Sequence, residues 1–180
     1  SDLQLASIPT EDMDAYYAYL LGRQRMLSRT SESLEQAADL FREAIDRDPE
    51  YALAYVGLAD TWMLRGDYGD LSIDEMASGA LPALEKAMEL DDRLAPAYAT
   101  LGAVRGKMAE FAAAETAHRR AIELDPNYAT AFHWYGDLLV SLTRRPDEAV
   151  PLLERAALLD PLSPSIIVTL GEAYEGTGRF

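Results

Sequence analysis

Apolar and small side chains recur at helical spacing along the stretch Ala95–Tyr128. Tyr98, Leu101, Gly102 and Arg105 stand at i, i+3, i+4 and i+7, one face of a first helix. Ala114, His118 and Ala121 stand at i, i+4 and i+7, one face of a second. Small residues (Gly102, Ala114, Ala121) fall where the two faces meet, so the backbones can approach closely. Asp125-Pro126-Asn127 then ends the second helix, because proline pushes the residue before it out of the helical region. The stretch predicts a helical hairpin.

The pattern repeats. A shift of 34 residues through the first helix carries Tyr98, Leu101 and Gly102 onto Phe132, Tyr135 and Gly136. A shift of 35 through the second carries Ala114, Ala121 and Asp125-Pro126 onto Ala149, Ala156 and Asp160-Pro161. Towards the N-terminus the same positions hold Tyr55, Leu58, Ala59, Ala80 and Ala87, and before them Ala44. The periodicity predicts nine helices and no sheet. A helix pair at this period is similar to the tetratricopeptide repeat family. The resemblance implies an all-α, right-handed α-solenoid of antiparallel helix pairs with about 4.5 repeats.

Along the chain, residues 1–10 read as an arm or linker, which Leu3, Leu5 and Ile8 could tack onto the first helix. The repeat domain is 11–180, in units of about 12–51, 52–94, 95–128, 129–163 and a partial 164–180. Thr10 is the expected N-cap of the first helix, Asp12–Ser28, with Glu11, Asp12 and Asp14 in its first turn. Thr30 caps a second helix, Ser31–Arg47. The first unit carries three extra residues, expected in its turn. The second unit, opening at Tyr51, has a long turn at Gly66–Leu71, then a capping box of Ser72 and Glu75 that starts a helix near Ile73. Pro82 is expected to kink that helix. Pro146 suits the first helical position after Arg145. Tyr51 and Tyr128 are expected to lock neighbouring units together. The chain does not open on Met, which points to a segment of a longer protein.

The opening AYYAYLLGRQRM, the run LEQAADLFREAIDRDPEYALAYVGLAD and the turn YGDLSIDEM resemble the tetratricopeptide region of bacterial multidomain signalling proteins. In those, the repeats follow an adenylate cyclase domain or a DNA-binding regulator domain. Neither domain is in this sequence.

Charge narrows the partners. The 180 residues carry 31 acidic and 16 basic side chains, a formal net charge of −15. Nucleic acid is then not the expected ligand of this segment, since phosphate contacts need clustered Lys and Arg. The same charge argues against an anionic membrane surface. No apolar run reaches the roughly 18 residues of a membrane span, no signal peptide is visible, and the expected location is cytoplasmic. There is no Cys, hence no disulfide, thiol nucleophile or zinc–thiolate site.

Candidate chemistry is sparse. No phosphate-binding loop, nucleophile elbow or HExxH motif is present, and no enzyme activity, cofactor or metal is expected. His118 stands where other units have Phe41, Leu84 and Leu153, so it reads as a packed histidine. Asp67-Tyr68-Gly69-Asp70 lacks the ligand spacing of a calcium loop and reads as a solvated turn.

By resemblance, the first helices line a concave groove. The candidate protein-binding positions on the first two of them are Tyr16, Tyr19 and Arg23, then Leu53, Val56, Asp60 and Met63. The third contributes Ala99, Ala103 and Lys107, the fourth Thr130, His133 and Asp137, and the fifth Val168 and Glu172. The Lys/Arg/Asn clamp with which one subclass grips C-terminal carboxylates is absent. Asp60, Asp137 and Glu172 among apolar residues suit a basic or amphipathic protein segment or peptide. The leading expectation is a non-enzymatic interaction module in a signalling protein. The alternatives are a dimerisation or structural scaffold and a small-molecule sensor. Ile167, Leu170 and Tyr174 are expected to form an exposed apolar strip at the C-terminal end, a possible homodimer surface.

Overall fold

The computed structural model describes residues 10–68 and 71–178. Residues 1–9 of the expected arm and the centre of the Gly66–Leu71 turn fall outside the described residues. Among those described there are nine α-helices and no strand: α1 (Met13–Met26), α2 (Ser31–Arg47), α3 (Ala52–Asp67), α4 (Ile73–Leu90), α5 (Ala95–Lys107), α6 (Phe111–Leu124), α7 (Ala129–Asp137), α8 (Pro146–Leu159) and α9 (Pro164–Thr177). They fall into two compact units, Ser1–Asp92 and Arg93–Phe180.

Within the first unit α1 pairs with α2 and α3 with α4, while α2 also packs on α3 and α1 on α3. The second unit repeats this. There α5 pairs with α6 and α7 with α8, α6 packs on α7 and α8 on α9, and α5, α7 and α9 touch in series. The second helices α2, α6 and α8 therefore each sit between two consecutive first helices of their own unit.

The second helices stop in one way four times over. Asp48, Asp91, Asp125 and Asp160 all leave the helical region, with φ of −133°, −149°, −138° and −136°. Each donates its N–H back to an alanine carbonyl, that of Ala44, Ala87, Ala121 and Ala156 in turn. Three of the four precede proline, which disfavours continued helix at that residue. Three of the hairpin turns, α1–α2, α5–α6 and α7–α8, share a second device, one left-handed residue each in Arg29 (φ 51°), Ala109 (φ 60°) and Arg144 (φ 58°).

Caps follow the polar signals with one change. Thr30 with Ser33, and Ser72 with Glu75, form the two capping boxes. The cap of α1 is Asp12, not Thr10: its carboxylate accepts from the N–H groups of Asp14 and Ala15. Thr10 instead donates to the Asp48 carboxylate and accepts from the Asp12 N–H at 3.1 Å. A carboxylate at the helix N-terminus gains from the dipole as well as from its hydrogen bonds, so it displaces the hydroxyl. The helix α4 is continuous through Pro82, which lies on its exposed side.

Spacing irregularities show up as helix geometry. The fourth unit's shift changes from 34 to 35 between its two helices, one residue too many for a regular hairpin. The chain absorbs it in a π-helical turn, Leu138–Leu142, that continues α7. Thr143 N–H bonds to Leu138 O at 3.0 Å across it. A π turn is how a single inserted residue is kept inside a helix. The three extra residues of the first unit lie mostly in the front of α2 (Ser31–Leu34), where Leu34 is buried, rather than in the connecting turn.

Candidate protein-binding site

The predicted groove positions divide by exposure. In the first unit Val56, Asp60 and Met63 are buried, Tyr16, Tyr19 and Leu53 half-buried, and Arg23 exposed. Tyr19 is a packing residue: its ring lies 5.2 Å from that of Tyr51 and 5.8 Å from Phe41, tilted in both cases. Burial raises its pKa, with Arg23 opposing and Asp60 adding to the shift. Asp60 is 7 % exposed and accepts from Arg23 at 3.2 Å, tying α3 to α1. A buried carboxylate needs such a partner. Asp60 is thus a structural ion-pair member, a role that its spacing from Val56 did not reveal.

The second unit is different. Ala99 is buried, in a cluster with Ala121 and Ala131. Ala103, Lys107, Thr130, His133 and Asp137 are half-buried, and Val168 and Glu172 are exposed. These seven lie on α5, α7 and α9, the three helices that touch in series. His133 Nε2 sits 3.1 Å from Thr169 Oγ1, joining α7 to α9. Asp137 accepts from Ser141 at 2.8 Å, one turn on in the π segment. Thr169 was not anticipated, and a Thr one residue from an exposed Val gives no sequence signal of its own.

Two expectations about aromatic and apolar groups resolve here. Tyr51 is fully buried among Ala15, Ala18, Ala44 and Ala54, as expected of a locking residue. Of the C-terminal strip, Ile167 is exposed, but Leu170 and Tyr174 pack on the cluster of Ala149, Leu153 and Ala173. Tyr174 also donates to Glu154 at 2.9 Å. The α8 helix covers that side of α9, so the strip is shorter than its sequence pattern.

An ionic cluster that pattern reading missed joins α6, α7 and the start of α8. Glu115 on α6 accepts from Arg119 at 2.7 Å, from the Tyr135 hydroxyl at 3.0 Å and from Arg145 at 2.5 Å. Arg145 also forks onto Glu148, which keeps the Glu148 carboxyl below its ordinary range. Beneath it, His118 is fully buried, stacked on Tyr135 at 5.7 Å, and neither ring nitrogen has a hydrogen-bond partner. Burial pulls its pKa down to about 4, with Glu115 opposing. A histidine held neutral and unpartnered fills space, as expected from its repeat position. Among the described residues no group of three or more His, Asp or Glu is placed to hold a metal. No helix among them is long and apolar enough to cross a membrane.

A tetratricopeptide repeat model matches residues 29–70 and 100–165, more than half of the chain. The chain belongs to the tetratricopeptide repeat family. The solved structure of a thermophilic member from Thermus thermophilus superposes with a TM-score of 0.72 at 21 % identity, over 92 % of this chain and 84 % of that one. A MamA structure aligns with a TM-score of 0.58 at 28 % identity, over 88 % and 85 %. Among curated proteins, the transcriptional regulator HilA of Salmonella typhimurium is 25 % identical over 167 residues, 92 % of this chain but 30 % of HilA. Subunit 3 of the anaphase-promoting complex of Schizosaccharomyces pombe is 28 % identical over 137 residues, 76 % of this chain and 19 % of that protein. The chain thus spans under a third of the length of either relative. The repeat fold is that of a protein–protein interaction scaffold.

Proposed function

We propose that the chain is a non-enzymatic, peptide- or helix-binding scaffold that forms the regulatory part of a larger bacterial signalling protein. The observation that carries the binding surface is the row on α5, α7 and α9. Ala103, Lys107, Thr130, His133, Asp137, Val168 and Glu172 all keep accessible surface there, whereas Val56, Asp60, Met63 and Ala99 are spent on packing. Exposed Val168 beside Glu172 offers apolar area next to a carboxylate, which suits a basic amphipathic segment. The signalling context rests on the match to HilA, a bacterial transcriptional regulator of which this chain spans 30 %.

The test is the double change Asp137→Ser and Glu172→Ser, with Asp60 left alone because it pairs with Arg23. Against a basic amphipathic peptide the variant is expected to bind more weakly, with a flatter salt dependence and an unchanged melting temperature. If affinity is untouched while Arg119→Ser with Arg120→Ser abolishes binding of that same peptide, the ligand lies on the second-helix side and the reading fails.

A further inference from the structure

The hairpin α5–α6 encloses a furrow of about 910 Å³ that the groove reading does not use. Tyr98, Leu101, Ala113 and Ala117 form its apolar lining, and Arg105, Arg119 and Arg120 stand around it with Glu110 and Glu123. The hollow comes from missing bulk. With the hairpins in register on Ala37, Ala114 and Ala149, the Ala112-Ala113 of α6 stand where α2 has Glu35-Gln36 and α8 has Asp147-Glu148. Thr116-Ala117 stand opposite Asp39-Leu40 and Pro151-Leu152, and Arg119-Arg120 opposite Arg42-Glu43 and Glu154-Arg155. The same six positions sum to +2 on α6 and to −2 on each of α2 and α8. On α4, in register on Ala80, the same positions are Ser78-Gly79, Pro82-Ala83 and Glu85-Lys86, small side chains that sum to zero, so positive charge at these positions is what sets α6 apart.

The guanidiniums are placed over apolar surface. That of Arg120 lies 5.9 Å from the Tyr98 ring centre and touches Glu123 at 3.4 Å. Arg105 meets Glu110 at 2.5 Å, and Arg119 meets Glu115 at 2.7 Å. Glu110 and Glu123 are open to solvent, so an incoming carboxylate can replace either at little cost, because exposed ion pairs contribute little.

We propose that this furrow is a second protein-binding site, whose ligand is an acidic amphipathic segment of another protein. Such a segment sets an aromatic or aliphatic side chain between Tyr98 and Ala113 and its carboxylates on Arg105 and Arg120. Charge complementarity decides the occupant. In a chain of net charge −15, an acidic segment is repelled from most of the surface, whereas the furrow lining carries three guanidiniums against the two carboxylates of Glu110 and Glu123, a locally positive balance beside an apolar floor. The site is independent of the row on α5, α7 and α9, and it selects ligands of the opposite sign.

The experiment uses the full 180-residue chain and three fluorescein-labelled synthetic peptides followed by anisotropy. One has two phenylalanines four residues apart among glutamates, one is the same with lysines for glutamates, and one is polyglutamate. The first is expected to bind saturably and the polyglutamate at least tenfold more weakly. Arg120→Glu, and separately Ala113→Gln, which restores the side chain found at Gln36, are each expected to weaken the first peptide about tenfold. Both should leave the lysine peptide and the melting temperature unchanged. Absence of saturable binding by the first peptide overturns the proposal. So does equal binding by polyglutamate, or an affinity indifferent to both substitutions. Asp137→Ser with Glu172→Ser should leave the first peptide's affinity intact, so failure of this site and failure of the groove are told apart.

Discussion

The hairpins α1–α2 and α5–α6 meet the same packing problem with different rings. In the first, Phe41 stands in the middle of α2 with a glycine on either side. A Cβ added at Gly22 would lie 2.9 Å from the ring, and one at Gly57 on α3 only 2.4 Å. In the second, His118 takes the place of Phe41. A Cβ at Gly102 would lie 2.5 Å from it, while on the far side α7 presents not a glycine but the stacked ring of Tyr135. Phe41 thus sits between two glycines and against the tilted Tyr19 ring, and His118 between one glycine and the stacked Tyr135 ring. In both hairpins the space around the ring is filled from three helices rather than position by position, as close packing requires. The histidine differs in one further respect: both of its nitrogens are buried without a partner, a cost that phenylalanine does not incur.

The comparison is broken most severely at Phe41. Phe41→Ala leaves a cavity at the meeting point of α1, α2 and α3, and the flanking glycines have no side chains with which to fill it. The expected loss is about 3–5 kcal/mol, read from urea denaturation with an unchanged slope.

The second test uses pH. In the folded chain the His118 pKa is lowered from 6.5 to about 4. A depressed folded pKa on a base means that the unfolded chain takes up the proton first. The contribution of neutral His118 is therefore intact above pH 6.5 and is lost as pH falls from 6.5 towards 4, where the folded form begins to protonate. That gap corresponds to on the order of 3 kcal/mol. His118→Leu, the residue type at Leu84 and Leu153, removes both the titration and the unpartnered nitrogens. At pH 8 it is expected to stabilise by about 1 kcal/mol. At pH 4.5 the gap between the two proteins should widen to several times that. Parallel stability curves for the two proteins from pH 8 to 4.5 would refute the assignment.

These two positions also show what the sequence makes legible. The repeat register alone placed Phe41 and His118 in equivalent cores, and the Asp-Pro stops, the cap at Thr30 and the box at Ser72 located helix ends. Those features are local, so a one-dimensional pattern contains them. Burial of Val56, Asp60, Met63 and Ala99 was not legible, because it depends on what packs across from each first helix rather than on the helix itself. The Glu115–Arg145 pair joins residues 30 apart and has no periodic signature. The π turn was present in the sequence as a change of spacing from 34 to 35, but spacing does not say whether a loop or a helix takes up the extra residue.

The finest test compares one repeat position that differs only in its neighbour. Gly102 and Gly171 stand at the same place in the third and fifth first helices. A Cβ at Gly102 would collide with the His118 ring, whereas nothing lies within 4 Å of one at Gly171. Neither residue has a positive φ, so backbone conformation needs glycine at neither place. At Gly171 the intrinsic preference then acts alone: alanine loses less backbone entropy on entering a helix, and Gly171→Ala is expected to stabilise by about 0.5–1 kcal/mol. At Gly102 the same gain is opposed by a ring that is packed on Tyr135 and cannot move away, so Gly102→Ala should destabilise. Opposite signs in thermal denaturation of the two variants would establish that contact with the second helix, and not helix conformation, fixes glycine in this fold. A loss of stability in both would mean that α9 is packed more closely at Gly171 than the structure shows.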